Sequence, residues 1–328
     1  MKKIKTAVVG VGALGRHHLR WYAKIAESEL VGLYDIDSER AKQYSEEYNV
    51  TAFESLDDLC KSAEAVSIVT PTTTHCEVAS ALIKKGIHCL IEKPIAANNE
   101  EAAEIQKLAD SHQVKVTIGH IERFNPAVVA LESIDIQPSF IEAHRLAAFD
   151  PRGTDVAVVL DLMIHDVDLV LKFIKSELTD IQASAVAVIS EQADIANARL
   201  TFKNGAVANL TASRISLSTM RKLRIFQKSG YCSLDLAKKQ ADFYSLADGN
   251  SDSSGARIPL GKSGKDIIYL KKPDTGKDML ESELSSFLKA IINDSSVAVT
   301  VSEGARSLEV ALEIKRIGHE SIQRMLEN

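Results

Sequence analysis

Residues 1–120 alternate short apolar runs with segments of helical period. Lys5–Val9, Leu30–Tyr34, Ala65–Val69, Ile87–Ile91 and Val114–Ile118 are mostly apolar, the pattern of strands buried on both faces. Arg16–Ala26, Ser38–Tyr48, His75–Lys84 and Asn99–Ser111 fill the gaps with helical periodicity. In the last of these, Ala103, Ile105, Leu108 and Ala109 form the core-facing stripe. Ser38 stands where it would cap its helix, and Gly86 closes His75–Lys84. Strands alternating with amphipathic helices predict an α/β fold built on a doubly wound parallel sheet.

The pattern then changes. One helix-like stretch, Asp161–Ile174, is followed closely by Ile181–Ile189, Ala196–Phe202, Ala206–Ala212, Leu223–Gln227, Tyr231–Asp235 and Ala241–Leu246. Asn204-Gly205 is a strong hairpin signal and Ser229-Gly230 a weaker one. Asp248–Gly255 is polar and reads as a solvated loop, and Lys277–Asn293 and Ser302–Met325 read as closing helices. The expectation is a C-terminal α+β domain with an open, mostly antiparallel sheet. The division falls at 1–122 and 123–328.

Acidic residues outnumber basic ones 45 to 39, and no Lys/Arg cluster exists, so nucleic acid is not an expected partner. No apolar run approaches the ~18 residues of a membrane-spanning helix. Cysteines at 60, 76, 89 and 232 form no C-x-x-C pair and read as free thiols in a reducing compartment. The start, MKKIKTAVVGVGALG, has the basic-then-apolar order of an export signal. Its glycines and the following Arg16-His17-His18, with no small-residue cleavage site, favour a strand and turn. The expected location is the cytoplasm.

Gly10-Val11-Gly12-Ala13-Leu14-Gly15 is G-x-G-x-x-G between an apolar strand and a helix. The first glycine permits the tight turn, the second lets backbone approach a pyrophosphate, and the third lets helix and strand pack closely. Helix N-terminal amides then face phosphate. Asp35 lies 20 residues beyond Gly15, at the end of the next strand, where a carboxylate accepts from ribose hydroxyls and repels a 2′-phosphate. Ile36, Asp37 and Ser38 follow with no adjacent Arg, so the expected cofactor is NAD. Thr70-Pro71-Thr72 ends the Ala65–Val69 strand on the ligand rim, and His75 opens the helix after it.

Glu92-Lys93-Pro94 ends Ile87–Ile91 on the same rim. A lysine beside a cationic nicotinamide would be driven toward its neutral form and could exchange a proton with a substrate hydroxyl. The plain alternative is a surface lysine in a loop. On a helix, Asp161 and His165 are i and i+4 and share a face. They would present an acid–base pair or form a purely structural one. A metal reading of Asp161, His165 and His120 lacks a compact ligand motif, and no metal is expected.

The glycine fingerprint, the E-K-P tripeptide and Gly119-His120-Ile121-Glu122-Arg123-Phe124-Asn125-Pro126 together resemble the Gfo/Idh/MocA oxidoreductases. The likeness spans essentially the whole chain, a Rossmann domain followed by an open-sheet domain for substrate and oligomerisation. It implies that Lys93 is the catalytic lysine, set by Glu92 and Pro94. It implies that Asp161 and His165 match the family's D-x-x-x-H motif, the His acting with the lysine. Gly10, Gly12, Ala13, Leu14, Gly15, Asp35, Thr70, Thr72, His75, Glu92, Lys93 and Pro94 become the expected cofactor contacts. Lys93, Arg123, Asn125, Asp161 and His165 become the expected substrate contacts. Two departures bear on substrate rather than chemistry. Only Gly153, followed by Thr154, stands where members often have Gly-Gly before the Asp, and the charges after His165 vary among subfamilies.

GHIERFNP, Arg221-Lys222-Leu223-Arg224-Ile225-Phe226-Gln227 and YCSLDL (231–236) are similar to the branch that oxidises UDP-N-acetylglucosamine at C3. A diphosphate needs cations, and Arg123, Arg145, Arg152, Arg214, Arg221 and Lys222 lie in the second half, each also readable as a surface or ion-pair residue. The resemblance also leaves a polyol or inositol dehydrogenase and a non-catalytic dinucleotide sensor. Lys93, Asp161 and His165 together favour the enzyme. It further implies a homodimer or homotetramer built on the open sheet face.

Overall fold

The computed structural model describes residues 2–150, 156–247, 255–259 and 266–327. They form two compact units, Met1–Ile121 with Asp278–Glu309, and Glu122–Lys277 with Val310–Asn328. The expected boundary after residue 122 is one residue off. The larger difference is that Asp278–Glu309 joins the first unit, so 123–328 is not one body.

In the first unit the chain runs β1 (Ile4–Val9), α1 (Gly15–Tyr22), β2 (Ser28–Tyr34), α2 (Ser38–Tyr48), β3 (Thr51–Ala52), α3 (Leu56–Cys60), β4 (Ala65–Ile68), α4 (His75–Ile83), β5 (His88–Glu92), α5 (Asn99–His112) and β6 (Val116–Gly119). The strands pair in parallel in the order β3-β2-β1-β4-β5-β6. The order reverses at β1, so the carboxyl ends of β1 and β4 flank the topological switch point where such sheets bind ligands. The cap of α2 is Asp37 rather than Ser38. Its carboxylate accepts from the Arg40 amide at 3.1 Å, which makes Ser38 the first helical residue.

The second unit contains α6 (Pro126–Val129), β7 (Phe140–Leu146), α7 (Ile164–Phe173), β8 (Leu178–Val186), β9 (Ile195–Phe202), β10 (Val207–Ser213), β11 (Met220–Gln227), β12 (Gly230–Asp235), β13 (Gln240–Leu246), β14 (Ala256–Pro259) and β15 (Asp266–Lys272). The sheet order is β14-β15-β13-β12-β11-β7-β10-β9-β8, antiparallel except for the β7–β10 pair. Both hairpins expected at Asn204-Gly205 and Ser229-Gly230 form, and Gly205 takes φ +84°. The strand expected to reach Ile189 stops at Val186. There the amides of Val188, Ile189 and Ser190 turn onto one oxygen of Asp194, at 2.8, 2.7 and 3.0 Å. Burial opposes the charge on Asp194, but those donors hold its pKa at about 2.

Two helices close the chain, α8 (Met279–Ile292) and α9 (Val301–Leu326). Leu284, Phe287 and Leu288 of α8 complete the core that holds Leu19 and Tyr22 of α1. Each such side chain contributes about 1.5–3 kcal/mol by leaving water, which is why this segment belongs to the first unit. Val310, Ala311 and Ile314 of α9 pack in the second unit's core with Ile141, Ala143 and Leu223.

Candidate active site

The turn after β1 is built around absent side chains. Gly10 has φ +85°, and a Cβ there would lie 2.7 Å from the Val69 carbonyl oxygen. A Cβ on Gly15 would lie 1.9 Å from the Gly10 oxygen. At Gly12 the nearest neighbour would be the Arg40 guanidinium at 3.6 Å, so the backbone is open to a ligand. Ala13 and Leu14 are exposed at the mouth of α1. Asp35 is fixed in place, Oδ2 accepting from the Val11 amide at 2.7 Å and Oδ1 from the Asp37 amide at 2.9 Å. The turn and the carboxylate therefore fit the diphosphate and ribose of a dinucleotide.

Two residues beside Asp35 escaped the sequence reading. Arg40 lies 2.8 Å from Asp37 and 3.6 Å from Asp35. Its position in the first turn of α2, three residues after the cap, was the available signal. Ile36 is 94 % exposed, although it directly follows a buried strand. Flat apolar surface next to the Asp35 carboxylate would suit an adenine face.

The loops after β4 and β5 form the adjoining rim. Thr70 and Thr72 are half-buried, and the Thr74 hydroxyl lies 2.8 Å from Thr70 Oγ1. His75, an expected cofactor contact, is buried at 1 % exposure, its ring nitrogens facing backbone. Its Nδ1 lies 2.9 Å from the Pro94 carbonyl oxygen and its Nε2 2.9 Å from that of Thr70. Burial pulls the His75 pKa below the ordinary histidine value, against the two carbonyls and Glu92. Lys93 is half-buried and joined to Pro94 by a cis peptide.

Behind Lys93 lies a buried acid–base group. Glu92 Oε1 is 3.1 Å from His18 Nε2, and Glu92 Oε2 accepts from the Lys93 amide at 3.2 Å. A Cβ at Gly119 would come within 3.1 Å of this carboxylate, so glycine at the end of β6 makes room for it. Burial works against the charge on Glu92, but His18 and Lys93 hold its pKa below the usual value. Glu283 of α8 is buried at 2 % exposure, and neither carboxylate oxygen has a hydrogen-bond partner among the described residues. Burial first, and the Glu92 charge second, push its pKa well above the usual range.

In the second unit, Asp161 and His165 do not lie on one regular helix. Val159–Met163 is a π turn, and α7 begins only at Ile164. The wider turn alters the i, i+4 relation expected of the pair. From Met163 to Val170, His165 alone is not buried. Its neighbours are anchored inward. Arg145 grips Asp166 through Nε at 2.9 Å and Nη2 at 2.8 Å, and donates to Glu122 at 2.9 Å. Arg123 grips Asp168 at 2.8 and 2.6 Å. Burial raises the Asp166 pKa against the pull of Arg145.

These contacts place several of the second-half arginines in ion pairs. Arg123 and Arg145 are buried in carboxylate pairs, and Arg214 reaches the Val156 carbonyl and lies 3.7 Å from Asp194. Asn125 is buried, donating to Glu122 and the Leu236 carbonyl, each at 2.9 Å, while its oxygen caps α6. Its amide is spent inside the fold. Arg221 and Lys222 remain exposed on β11. Arg152, Gly153 and Thr154 lie outside the described residues, as do residues 248–254 of the expected polar loop. Among the described residues, no group of three or more His, Cys, Asp or Glu is placed to hold a metal. No described helix is long and apolar enough to cross a membrane.

Residues 4–120 match a family profile described as an oxidoreductase family with an NAD-binding Rossmann fold. Residues 139–232 match the GFO/IDH/MocA C-terminal domain. UDP-N-acetylglucosamine 3-dehydrogenase of Acidithiobacillus ferrooxidans is 38% identical over 325 residues, covering 99% of this chain and 100% of that protein. Its solved structure superposes with a TM-score of 0.88 over 98% of this chain and 99% of its own. Inositol 2-dehydrogenase of Rubrobacter xylanophilus is 28% identical over 190 residues, 55% of each chain.

Proposed function

The chain belongs to the Gfo/Idh/MocA oxidoreductase family, and we propose that it oxidises the C3 hydroxyl of UDP-N-acetylglucosamine with NAD. The observation that carries the substrate is identity of 38% running end to end with a UDP-N-acetylglucosamine 3-dehydrogenase, against 28% over about half the chain for an inositol enzyme. Bound NAD supplies the acceptor for the carbinol hydride. The turn at Gly10 and Gly12, which Gly15 lets close, would hold its diphosphate, Asp35 would take the ribose hydroxyls, and Thr70 and Thr72 would line the rim. Lys93, as the free amine, takes the hydroxyl proton while the carbonyl forms. In the second unit, His165 and Asp161 are the acid–base candidates that the family motif points to. Glu92 fixes the Lys93 amide.

NADH absorbance with UDP-N-acetylglucosamine, myo-inositol and glucose, each offered with NAD or NADP, tests this reading. An aminotransferase and glutamate remove the keto product. Signal with NAD and the UDP-sugar alone is expected, and turnover of inositol or glucose instead would discard the substrate. Lys93→Met should bind NADH as the parent does and lose at least about 100-fold in turnover. Parent-like turnover would remove the lysine from the mechanism.

The cytoplasm is the proposed location, which the four free cysteines suit and cell fractionation checks. The proposed assembly is a homodimer or homotetramer joined through the open face of the second sheet. Phe140, Phe226, Tyr231, Tyr244 and Tyr269 stand directly opposite one another on neighbouring strands of that face. Their rings form a half-exposed ladder with successive centroid distances of 5.8, 5.5, 4.4 and 5.1 Å.

A further inference from the structure

His75 is the one side chain described above that touches both rim loops. Its ring is buried, and its two nitrogens each lie 2.9 Å from a carbonyl oxygen, Thr70 on one side and Pro94 on the other. Thr70 opens the loop that carries Thr72, and Pro94 follows Lys93 directly. Neither carbonyl can donate, so each contact is a hydrogen bond only when the facing nitrogen carries hydrogen. A neutral imidazole has one such hydrogen and bonds one loop at a time. The tautomer decides which loop is held.

We propose that His75 is a positioning residue that straps the lysine loop and the threonine loop to the start of α4, and so sets where Lys93 stands. The proposal rests on the reading of Lys93 as the proton acceptor. It goes beyond that reading by naming what holds the lysine, from a residue that itself reaches no ligand. Backbone carbonyls as partners explain why the strap needs a side chain that can turn its N–H to either of two directions from one buried spot. An aliphatic residue would leave both oxygens in the interior without a donor.

Two amides separate the contacts. His75→Asn places an NH2 where Nδ1 stands and can keep the Pro94 bond. His75→Gln places one nearer Nε2 and can keep the Thr70 bond. His75→Ala keeps neither. The experiment measures kcat, KM for UDP-N-acetylglucosamine and NADH affinity by fluorescence titration, with far-UV circular dichroism to confirm folding. The alanine variant should lose about 10- to 100-fold in kcat, the scale of a displaced catalytic group. The asparagine variant should recover kcat toward the parent. The glutamine variant should recover NADH affinity more than kcat. Parent-like kcat in folded His75→Ala overturns the strap. So do equal losses in all three variants, because a purely structural residue would not separate the two amides. Lys93→Met in the same series keeps the two ideas apart. If it turns over normally the lysine reading has failed, and if it is dead while His75→Ala is normal only the strap has failed.

Discussion

Glu283→Gln should stabilise the first unit by an amount that grows with pH. Glu283 is 2 % exposed, both its oxygens lack partners among the described residues, and burial with Glu92 nearby drives its pKa well above 4.5. The folded chain therefore holds a proton that the unfolded chain releases near the ordinary glutamate value. A carboxyl with its folded pKa raised contributes most below the unfolded pKa, and that contribution is lost as pH rises toward the folded one. The slope across that window is about 1.4 kcal/mol per pH unit. Glutamine copies the shape and polarity of the neutral acid but has no proton to lose. Near pH 4 the two proteins should be nearly equal. By pH 6, about 1.5 units above the ordinary glutamate value of 4.5, the variant should lead by about 2 kcal/mol. Urea denaturation followed through Trp21, the only tryptophan and a residue of α1 in the same unit, reads the difference. A gap that stays constant from pH 4 to 7 would refute the buried neutral acid, as would a parent more stable than the variant at pH 7.

Gly15→Ala should abolish NADH binding or soluble expression, because its Cβ would stand 1.9 Å from a backbone oxygen. Retained affinity in a fluorescence titration would show that the turn can open. Tyr231→Asp puts a charge in the middle of the aromatic ladder, between rings at 5.5 and 4.4 Å. Light scattering should then report a smaller species than the parent, and an unchanged mass would move the interface elsewhere.

The parallel sheet was legible because β1, β4, β5 and β6 are largely buried and so spell apolar runs, and because Gly10 and Gly15 each answer a close approach. The second unit was harder for a definite reason. Its central strand β7 went unseen because its third inward position is Arg145, which breaks the apolar alternation of Ile141 and Ala143. That arginine is inside only because Asp166 and Glu122 meet it there, and no local pattern announces partners 21 and 23 residues away. The internal partners of Arg123 and Asn125 were hidden in the same way. Their residue types suit a phosphate and a sugar, yet their donors are used on Asp168, Glu122 and Leu236. The motif residues Lys93, Asp161 and His165 were visible from spacing and resemblance. The π turn at Asp161 was not, since a one-residue widening of a helix leaves no mark on periodicity.

The dinucleotide-binding unit is written in two pieces, with the whole of Glu122–Lys277 between them. Ribosomes emit Leu19 and Tyr22 early and Leu284, Phe287 and Leu288 near the end. For most of translation, then, α1 has its inner face finished on one side and bare on the other. Domains usually fold in the order they are made, but here the first begun is completed only after nearly all of the other has been synthesised. A gene cut after residue 121 would not yield a portable cofactor module, because the stretch that seals it is encoded at the far end.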